Sequence, residues 1–400
     1  MDNAYISVRA LGAAGDGQTD DTAAFEEALR LSAETGGEIR VPAGRYRIRR
    51  TLTLNSQLLT GCPAGNFCGD DDCLPALVFS EEPDIGLRVV SGAVSGLRLD
   101  FSPQNGRTDG PRQTAVLVER SGCRLTALKI TEAFDGIVCH DDLRPGMGNP
   151  GRLNIADVFM LNIHHCGLYI SGGLDVECIR NVEVWSPGST LFPASGVGFH
   201  FRKNDGIHID DCFAFNASVG FLFEEAAGLP DYNGGTLGWL TGCNVDYSGR
   251  GIVVRGGERS AQEHYYPVQI TVSGGSFWCH QQALDVESGD GNVILSGVDM
   301  RANGTEAVRI HAGDSVTVSD CLIRREFVYV DCPAVVIDGG RRVIFSGNTV
   351  QSRCDGVVVS GGGMRLIRGN ILCAGGESLR AESTPDLLLS DNLCRSFSQS

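Results

Sequence analysis

The chain has 400 residues, a formal net charge of −16 at pH 7 and 53 glycines. This acidic balance argues against a nucleic acid as partner, because phosphate backbones are bound by clustered Lys and Arg. No apolar run is long enough to span a membrane, and the sequence opens without a charged-then-apolar leader. We therefore expect no membrane span and either a cytoplasmic or a secreted location.

The first predicted element is a helix in "GDGQTDDTAAFEEALRLSAETGG", residues 15–37. Asp20 or Asp21 is the predicted N-cap, Ala and Phe recur at helical spacing, and a Gly-Gly pair ends the helix. The following segment "EIRVPAGRYRIRRTLTL" alternates in the way strands do. We predict an N-terminal cap over residues 1–55, in which the helix covers the open end of one continuous domain formed by residues 56–400.

Fifteen cysteines are spread mostly singly along the chain, which predicts small, buried, reduced side chains. The exception is the segment "GCPAGNFCGDDDC", which carries Cys62, Cys68 and Cys73. Three thiols at these spacings match no strong zinc pattern, so a surface loop with at most one disulfide is the favoured interpretation. The sequence predicts neither a metal nor another cofactor.

From about residue 86 one phrase recurs, a small residue followed by apolar-x-apolar. It occurs as "GLRVV", "AVLVE", "GIVCH", "GLYIS", "GFHFR", "GFLFE", "GIVVR", "ALDVE" and onwards to "SLRAE". A second phrase, such as "TVSDC" or "IFSGN", precedes many of these at a fixed offset. Period-2 strands with short Gly, Asn and Asp turns, repeated about every two dozen residues, specify a solenoid. The predicted fold is all-β, a single-stranded right-handed parallel β-helix.

A family resemblance supports that prediction. The segments "VRALGAAGDGQTDDTAAFEEAL" and "GGEIRVPAGRYRI" resemble the N-terminal part of pectate-lyase-superfamily (polygalacturonase-related) β-helix proteins, over roughly the first fifty residues. The superfamily includes hydrolases, β-glucanases and phage tailspikes, so the resemblance implies a carbohydrate partner and a monomer or a homotrimer. It also implies that Asp16, Asp20 and Asp21 build the cap rather than a site.

Within each strand, the second and fourth residues after the small one are expected to point outward. Arg grips anionic groups with paired hydrogen bonds, and three long loops leave the same end of this strand after residues 139, 223 and 254. We predict that these loops wall a groove along the column. Its second positions are Val138, Tyr169, His200, Leu222, Val253, Asp285 and Arg309, and its fourth are His140, Ser171, Arg202, Glu224, Arg255, Glu287 and His311. The predicted substrate-binding residues are Arg202, Arg255, His200, His140 and Tyr169, with His264 and Tyr265 from a loop.

The predicted catalytic residues are Glu224, Glu287, Asp285 and Asp231. Two coils of a β-helix separate backbones by roughly 9.6 Å, close to the carboxyl separation of inverting glycosidases, about 6.5–9.5 Å. Flanking Arg residues would lower the pKa of Glu224, which suits the role of base. Burial in the following loop would raise the pKa of Asp231 or Glu225, which suits the role of proton donor. The competing structural interpretation is a salt-bridge ladder that runs from Arg202 through Glu224 and Arg255 to Glu287.

Glycoside hydrolysis is thus the leading hypothesis, and two others stay open. A polysaccharide lyase would use Arg202, Arg255, His200 or Tyr169 against a uronate. A non-catalytic tailspike-like or glycan-binding β-helix would use the same face for binding alone.

The segment "KNDGIHIDDC", residues 203–212, concentrates carboxylates that invite comparison with polygalacturonase motifs. The repeat aligns Asp211 with Gly242, Asp320 and Asp391, which predicts a turn residue. Asp205 and Asp210 remain secondary site candidates.

Overall fold

The computed structural model describes residues 5–62, 75–102, 112–140, 150–187, 196–225, 234–257, 267–325, 330–382 and 386–396. Within these ranges the helices are a 3-10 turn, Val8–Leu11, and one α-helix, α1, Thr22–Thr35; the other regular elements are strands. The predicted all-β, right-handed parallel β-helix with a helix near its N-terminus is confirmed. The chain divides into two compact units, residues 1–187 and 188–400. The division into a 1–55 cap and one continuous 56–400 domain stays a prediction.

In its described residues, the first unit contains α1 and thirteen strands that pair in parallel. They are β1 Tyr5–Ser7, β2 Asp16–Asp20, β3 Glu38–Arg40, β4 Arg45–Ile48, β5 Leu52–Thr60, β6 Ala76–Phe79, β7 Ile85–Asp100, β8 Thr114–Val118, β9 Arg124–Thr131, β10 Asp135–His140, β11 Asn154–Leu161, β12 Cys166–Ser171 and β13 Val176–Trp185. The long strands β7, β9, β11 and β13 turn a corner at a residue with positive φ: Gly96, Ala127, Asp157 and Asn181, respectively.

Helix α1 begins after Asp21 at the N-cap position and ends at Gly36, whose φ is 71°. Phe25 is buried and meets Tyr46 edge to face, 5.4 Å between ring centroids. The Asp21 carboxylate accepts hydrogen bonds from the backbone N–H of Ala14 and Gly15, while Asp20 accepts one from Thr22. Asp16 likewise accepts bonds from the residues that follow it. The predicted structural role of Asp16, Asp20 and Asp21 is confirmed.

The second unit repeats three parallel strand stacks. The first stack holds β14 Val197–Arg202, β17 Val219–Glu224, β20 Arg250–Arg255, β23 Leu284–Ser288, β26 Val308–Ile310, β29 Val335–Ile337, β32 Val357–Val359 and β35 Leu379–Ala381. The second holds β15 Gly206–Asp210, β18 Leu237–Thr241, β21 Gln269–Ser273, β24 Asn292–Ser296, β27 Ser315–Ser319, β30 Arg342–Ser346, β33 Met364–Arg368 and β36 Leu387–Ser390. The third holds β16 Phe213–Phe215, β19 Asn244–Ser248, β22 Ser276–Cys279, β25 Asp299–Ala302, β28 Leu322–Arg325, β31 Thr349–Ser352, β34 Ile371–Ala374 and β37 Leu393–Ser396.

Side chains of the first stack alternate between the buried core and the outer side of the strands. Phe199 stacks on Phe221 at 4.6 Å, and Phe201 stacks on Phe223 at 5.2 Å. All four rings are fully buried, whereas the intervening His200 points to the other side of the strand. This parallel, in-line stacking of like side chains fixes which residues of each strand face outward.

The turn between the second and third stacks repeats a left-handed residue. Asp211, Gly242, Asp320 and Asp391 have φ values of 52°, 64°, 54° and 56°. The prediction that Asp211 occupies a scaffold turn is confirmed. Gly and Asp recur there because they tolerate this conformation better than other residues.

The turn role of Asp211 predicts a small, purely structural effect of substitution. Asp211→Ala is expected to lower the free energy of unfolding by about 1 kcal/mol, because Ala resists the left-handed conformation, while Asp211→Gly should be close to neutral. Urea unfolding of both variants measures this difference. A variant that keeps its stability and loses a chemical activity of the protein would contradict the assignment.

Candidate functional site

The predicted column lies on the outer side of the first strand stack in the second unit. Arg202 of β14 is in register with Glu224 of β17, which is in register with Arg255 of β20. All three side chains are half-buried. The strand alternation therefore brings these predicted residues together on one surface.

Glu224 lies at the centre of a cationic cluster. Its Oε1 lies 2.9 Å from His200 Nε2 and 3.3 Å from Arg202 Nε, and its Oε2 lies 3.8 Å from Arg255 Nη1. The hydrogen bond with His200, helped by the charges of both Arg residues, holds the pKa of Glu224 below its usual value. Glu224 is therefore a carboxylate over most of the pH range and does not suit a proton donor.

The pairing of β20 with β23, which continues the column, differs from the expected register. A register shift after Val254 sets Arg255 opposite Ser288 instead of Glu287. Arg255 nevertheless reaches Glu287, with its Nε 2.7 Å from Glu287 Oε2. The contacts from Arg202 to Glu287 have the geometry of the ladder that the sequence offered as a structural alternative. The catalytic roles of Glu224 and Glu287 stay predictions.

Asp285 and Glu287 alternate along β23 and share one partner that sequence analysis missed. Arg250 Nη1 donates to Asp285 Oδ2 at 3.0 Å and lies 3.5 Å from Glu287 Oε2. Because both oxygens approach the same nitrogen at 3.0 and 3.5 Å, they lie at most 6.5 Å apart. Arg250 stands before the recurring small residue of its strand, outside the columns searched, and this is why sequence analysis passed over it.

The two carboxyl groups have opposite electrostatic environments. Burial raises the pKa of Asp285, which is only 5% exposed, and this outweighs the attraction of Arg250. Burial also opposes the charge on Glu287, but the hydrogen bond from Arg255 and the nearby Arg250 outweigh it, so the pKa of Glu287 lies below its usual value. One carboxyl is thus biased toward its protonated form and its neighbour toward the carboxylate.

Part of the predicted outward column is not on the solvent surface. Leu222 and Val253, both second-position residues, are buried and form an apolar cluster with Val219, against which Val197 packs. At these positions the column is an apolar contact between coils and not a surface open to solvent. Apolar side chains that project outward from the strand still gather with one another, which removes their surface from water.

Other predicted site residues lie elsewhere. Tyr169 is a half-buried residue of β12 in the first unit, opposite Val138. Asp205 is exposed next to β15, and Asp210 ends β15 opposite Thr241, so both belong to the second strand stack and not to the column. Asp231, His264, Tyr265, Cys68, Cys73 and the side chain of His140 lie outside the described residues.

Sequence analysis also missed a cavity of about 190 Å³ on the third strand stack, lined by Asp246, Tyr247, Trp278 and other residues. The available signal was the pair of aromatic residues at outward positions in "NVDYS" and "SFWCH". Within the described ranges, no group of three His, Cys, Asp or Glu side chains is placed to hold a metal ion. The described helices include none with the length and apolarity needed to cross a bilayer.

Comparison with known proteins supports the fold assignment. Residues 5–90 match the family model described as rhamnogalacturonase A/epimerase, pectate lyase-like. The predicted resemblance to the pectate-lyase-like β-helix superfamily is confirmed by this match and by the shared fold. No curated protein matches the sequence significantly.

Several solved structures share the fold across nearly the whole chain. The A-module of the mannuronan C-5 epimerase AlgE6 from Azotobacter vinelandii has 18% identity and a TM-score of 0.62, with 98% of this chain and 99% of that chain covered. The N-terminal fragment of bacteriophage Phi29 gene product 12 has 17% identity and a TM-score of 0.67, with 98% and 72% covered. A mutant tailspike protein of E. coli bacteriophage HK620, in complex with a pentasaccharide, has 10% identity and a TM-score of 0.60, with 97% and 78% covered.

Proposed function

We propose that this protein is a carbohydrate-active enzyme that hydrolyses glycosidic bonds in an oligo- or polysaccharide, with Asp285 as the proton donor and Glu287 as its partner carboxylate. The observation that carries the proposal is the shared contact of both groups with Arg250, combined with their opposite pKa shifts. Two neighbouring carboxyls whose environments separate their pKa values are the acid and base pattern of glycosidases.

The roles follow from proton balance. Asp285 gives its proton to the glycosidic oxygen as the bond to the anomeric carbon breaks, and Arg250 then stabilises the Asp285 carboxylate that forms. Glu287, already a carboxylate, either takes a proton from the attacking water or attacks the anomeric carbon itself. In the first case the proton ends on Glu287 and exchanges with solvent; in the second, water later releases the sugar from Glu287. Arg255 keeps Glu287 in its charged form before the reaction begins.

Glu224 has a different role in this proposal. With His200, Arg202 and Arg255 around it, the Glu224 carboxylate orients the Arg255 guanidinium, which in turn holds Glu287. We assign Glu224 to positioning, and Arg202 and His200 to contacts with sugar hydroxyl groups along the same surface. This assignment gives the ladder a function without requiring that Glu224 react.

Elimination is less well supported by the contacts. A lyase needs a deprotonated base beside a uronate, and Arg202 and Arg255 are the cations that the column offers. Both guanidinium groups already lie against carboxylates, Arg202 on Glu224 and Arg255 on Glu224 and Glu287. The same carboxylates would repel an incoming uronate.

Two of the proteins that share the fold are compatible with a glycan ligand: one is a mannuronan epimerase module and another was determined with a pentasaccharide bound. Their low identity makes them support for the substrate class only. A β-helix that binds glycans without cleaving them, as a monomer or a homotrimer, is the alternative that the experiment below separates.

A panel of plant and microbial polysaccharides tests the reaction type. We expect new reducing ends to appear without new ultraviolet absorbance, because hydrolysis, unlike elimination, creates no double bond. The Asp285→Asn/Glu287→Gln double variant serves as control and should release no reducing ends. Products that absorb in the ultraviolet would establish a lyase, and wild-type protein that binds a glycan but leaves it intact would establish a binding module.

A further inference from the structure

The cavity on the third strand stack of the second unit is separate from the charged column, which lies on the first stack. It has a volume of about 190 Å³ and is bordered by β19, β22, β25 and β28. Pockets that bind drug-sized ligands have volumes of about 300–1,000 Å³, so this smaller cavity suits a ligand of the size of one sugar ring.

A bulge in strand β19 lies at the cavity and shapes its wall. The register between β19 and β22 shifts after the pair Val245 and Phe277 and resumes at Ser248 and Cys279. Two residues, Asp246 and Tyr247, therefore stand against the single residue Trp278. Tyr247 has a φ of 48°, a conformation that large side chains rarely adopt. Bulges of this kind redirect side chains and recur beside functional sites.

The bulge leaves two aromatic rings at the cavity partly open to solvent. Tyr247 is 45% exposed and Trp278 is 41% exposed. The Arg301 guanidinium covers one face of Trp278 at 3.9 Å from the ring centroid, and Tyr247 meets His280 edge to face at 6.3 Å. These contacts hold the rings in place while much of their surface stays available. Rigid, exposed aromatic surface beside polar groups is well suited to the apolar C–H face of a pyranose.

The charges around the cavity compensate one another. Asp299 Oδ2 lies 3.3 Å from Arg301 Nη2 and 2.5 Å from Arg324 Nη2, so one carboxylate already serves both guanidinium groups. The second carboxyl, Asp246, faces the same cavity. Two cations and two carboxyls leave no surplus of positive charge to attract an anion. What remains are hydrogen-bonding groups for hydroxyls, including Asp246 and the amide of Asn303, which also lines the cavity.

Asp246 is suited to this role by its surroundings. Its Oδ1 accepts a hydrogen bond from the Tyr247 N–H at 2.9 Å, which fixes the carboxyl at the cavity wall. Burial raises the pKa of Asp246, because its carboxylate is poorly solvated at the cavity wall. Hydroxyl donors from a ligand would replace the missing water, whereas a ligand carboxylate would add repulsion.

We propose that this cavity is a second carbohydrate-binding site, which takes one neutral pyranose residue against Tyr247 and Trp278 and holds its hydroxyl groups through Asp246 and Asn303. The site is distinct from the proposed catalytic column and does not depend on its chemistry. It would anchor a glycan, or a second chain of the same glycan, on another side of the coil.

Titration of the full chain with single sugars tests this site, with binding followed by calorimetry and by tryptophan fluorescence. The probes are the methyl glycosides of glucose, galactose and mannose, N-acetylglucosamine, and glucuronic acid as the anionic comparison. We expect saturable binding of at least one neutral sugar and weaker binding of glucuronic acid. Trp278→Ala should weaken the neutral sugar about 10-fold or more, the scale of one lost aromatic contact.

Three further variants separate binding at this cavity from binding elsewhere. Asp246→Asn preserves the shape of the site and should weaken binding even if Trp278→Ala fails to fold. Trp239→Ala, which removes a ring stacked on His208 in the second strand stack, should leave binding unchanged. Glu287→Gln should also leave it unchanged, which separates this site from the column. Absence of saturable binding by every neutral sugar, tighter binding of glucuronic acid, or full affinity in folded Trp278→Ala and Asp246→Asn would overturn the proposal.

Discussion

Asp285→Asn is expected to reduce kcat by about 10²–10⁴-fold, the usual contribution of a general acid. The substitution keeps the shape of the side chain and its contact with Arg250, but Asn cannot deliver a proton to the leaving oxygen. The measurement is the initial rate of reducing-end release, with circular dichroism and thermal unfolding recorded on the same preparation. A folded variant that retains the wild-type rate would exclude Asp285 as the acid.

Asp100→Asn is the matched control for that experiment. Asp100 is also a buried Asp paired with Arg side chains, 3.2 Å from Arg45 Nη2 and 2.5 Å from Arg98 Nε, but it belongs to the first unit. The Asp100→Asn variant should lose comparable ion pairs and keep the wild-type turnover rate. Equal loss of activity in both variants would mean that the effect of Asp285→Asn comes from general damage to the fold.

Glu224→Gln is expected to lower the free energy of unfolding by about 1–2 kcal/mol near neutral pH, because Arg202 and Arg255 lose a half-buried counter-charge that they share, while Arg255 keeps its contact with Glu287. The sign of the pH dependence follows from the lowered pKa. The Glu224 carboxylate contributes its full stability at pH values above the pKa of Glu224 in the unfolded chain. This contribution is lost as the pH falls through the lower pKa that Glu224 has in the folded protein. The difference between wild type and variant should therefore shrink in acid.

Denaturant unfolding at neutral pH and at pH values below the usual glutamate range measures that difference. Glu27→Gln is the control, because Glu27 pairs with Arg30 on the exposed surface of α1 and should change stability far less. A Glu224→Gln difference that is independent of pH would show that the charge of Glu224 contributes little to stability. If Glu224 positions Glu287 through Arg255, turnover should fall as well, by less than in Asp285→Asn.

The fold was predictable because its determinants are local and repeated. Alternation in "GFHFR" and "GFLFE" assigns Phe199, Phe201, Phe221 and Phe223 to the core, and in-register stacking then places Arg202 beside Glu224. The same repeat identified Asp211 as a turn residue, although the surrounding segment resembles polygalacturonase motifs. Each of these inferences needs only the pleat of a strand and the repetition of coils.

The site was less predictable because it depends on breaks in the repeat. The register shift before Ser288 and the bulge at Tyr247 come from single extra residues, which a pattern of alternating side chains does not reveal. Burial of Asp285 depends on neighbours that are distant in sequence, so its raised pKa had no sequence signal. Arg250 escaped notice because its strand begins one residue earlier than the repeat suggests.

The pH dependence of kcat/KM on a cleaved glycan tests the central claim most directly. Hydrolysis needs Glu287 as carboxylate, with a pKa below its usual value, and Asp285 protonated, with a pKa above its usual value. We predict a bell-shaped profile with an acidic optimum, in which activity falls as rising pH deprotonates Asp285, and loss of the acid-side limb in any residual activity of Glu287→Gln. A rate that climbs toward alkaline pH, as elimination by a deprotonated base requires, would contradict the assignment of Asp285 and Glu287.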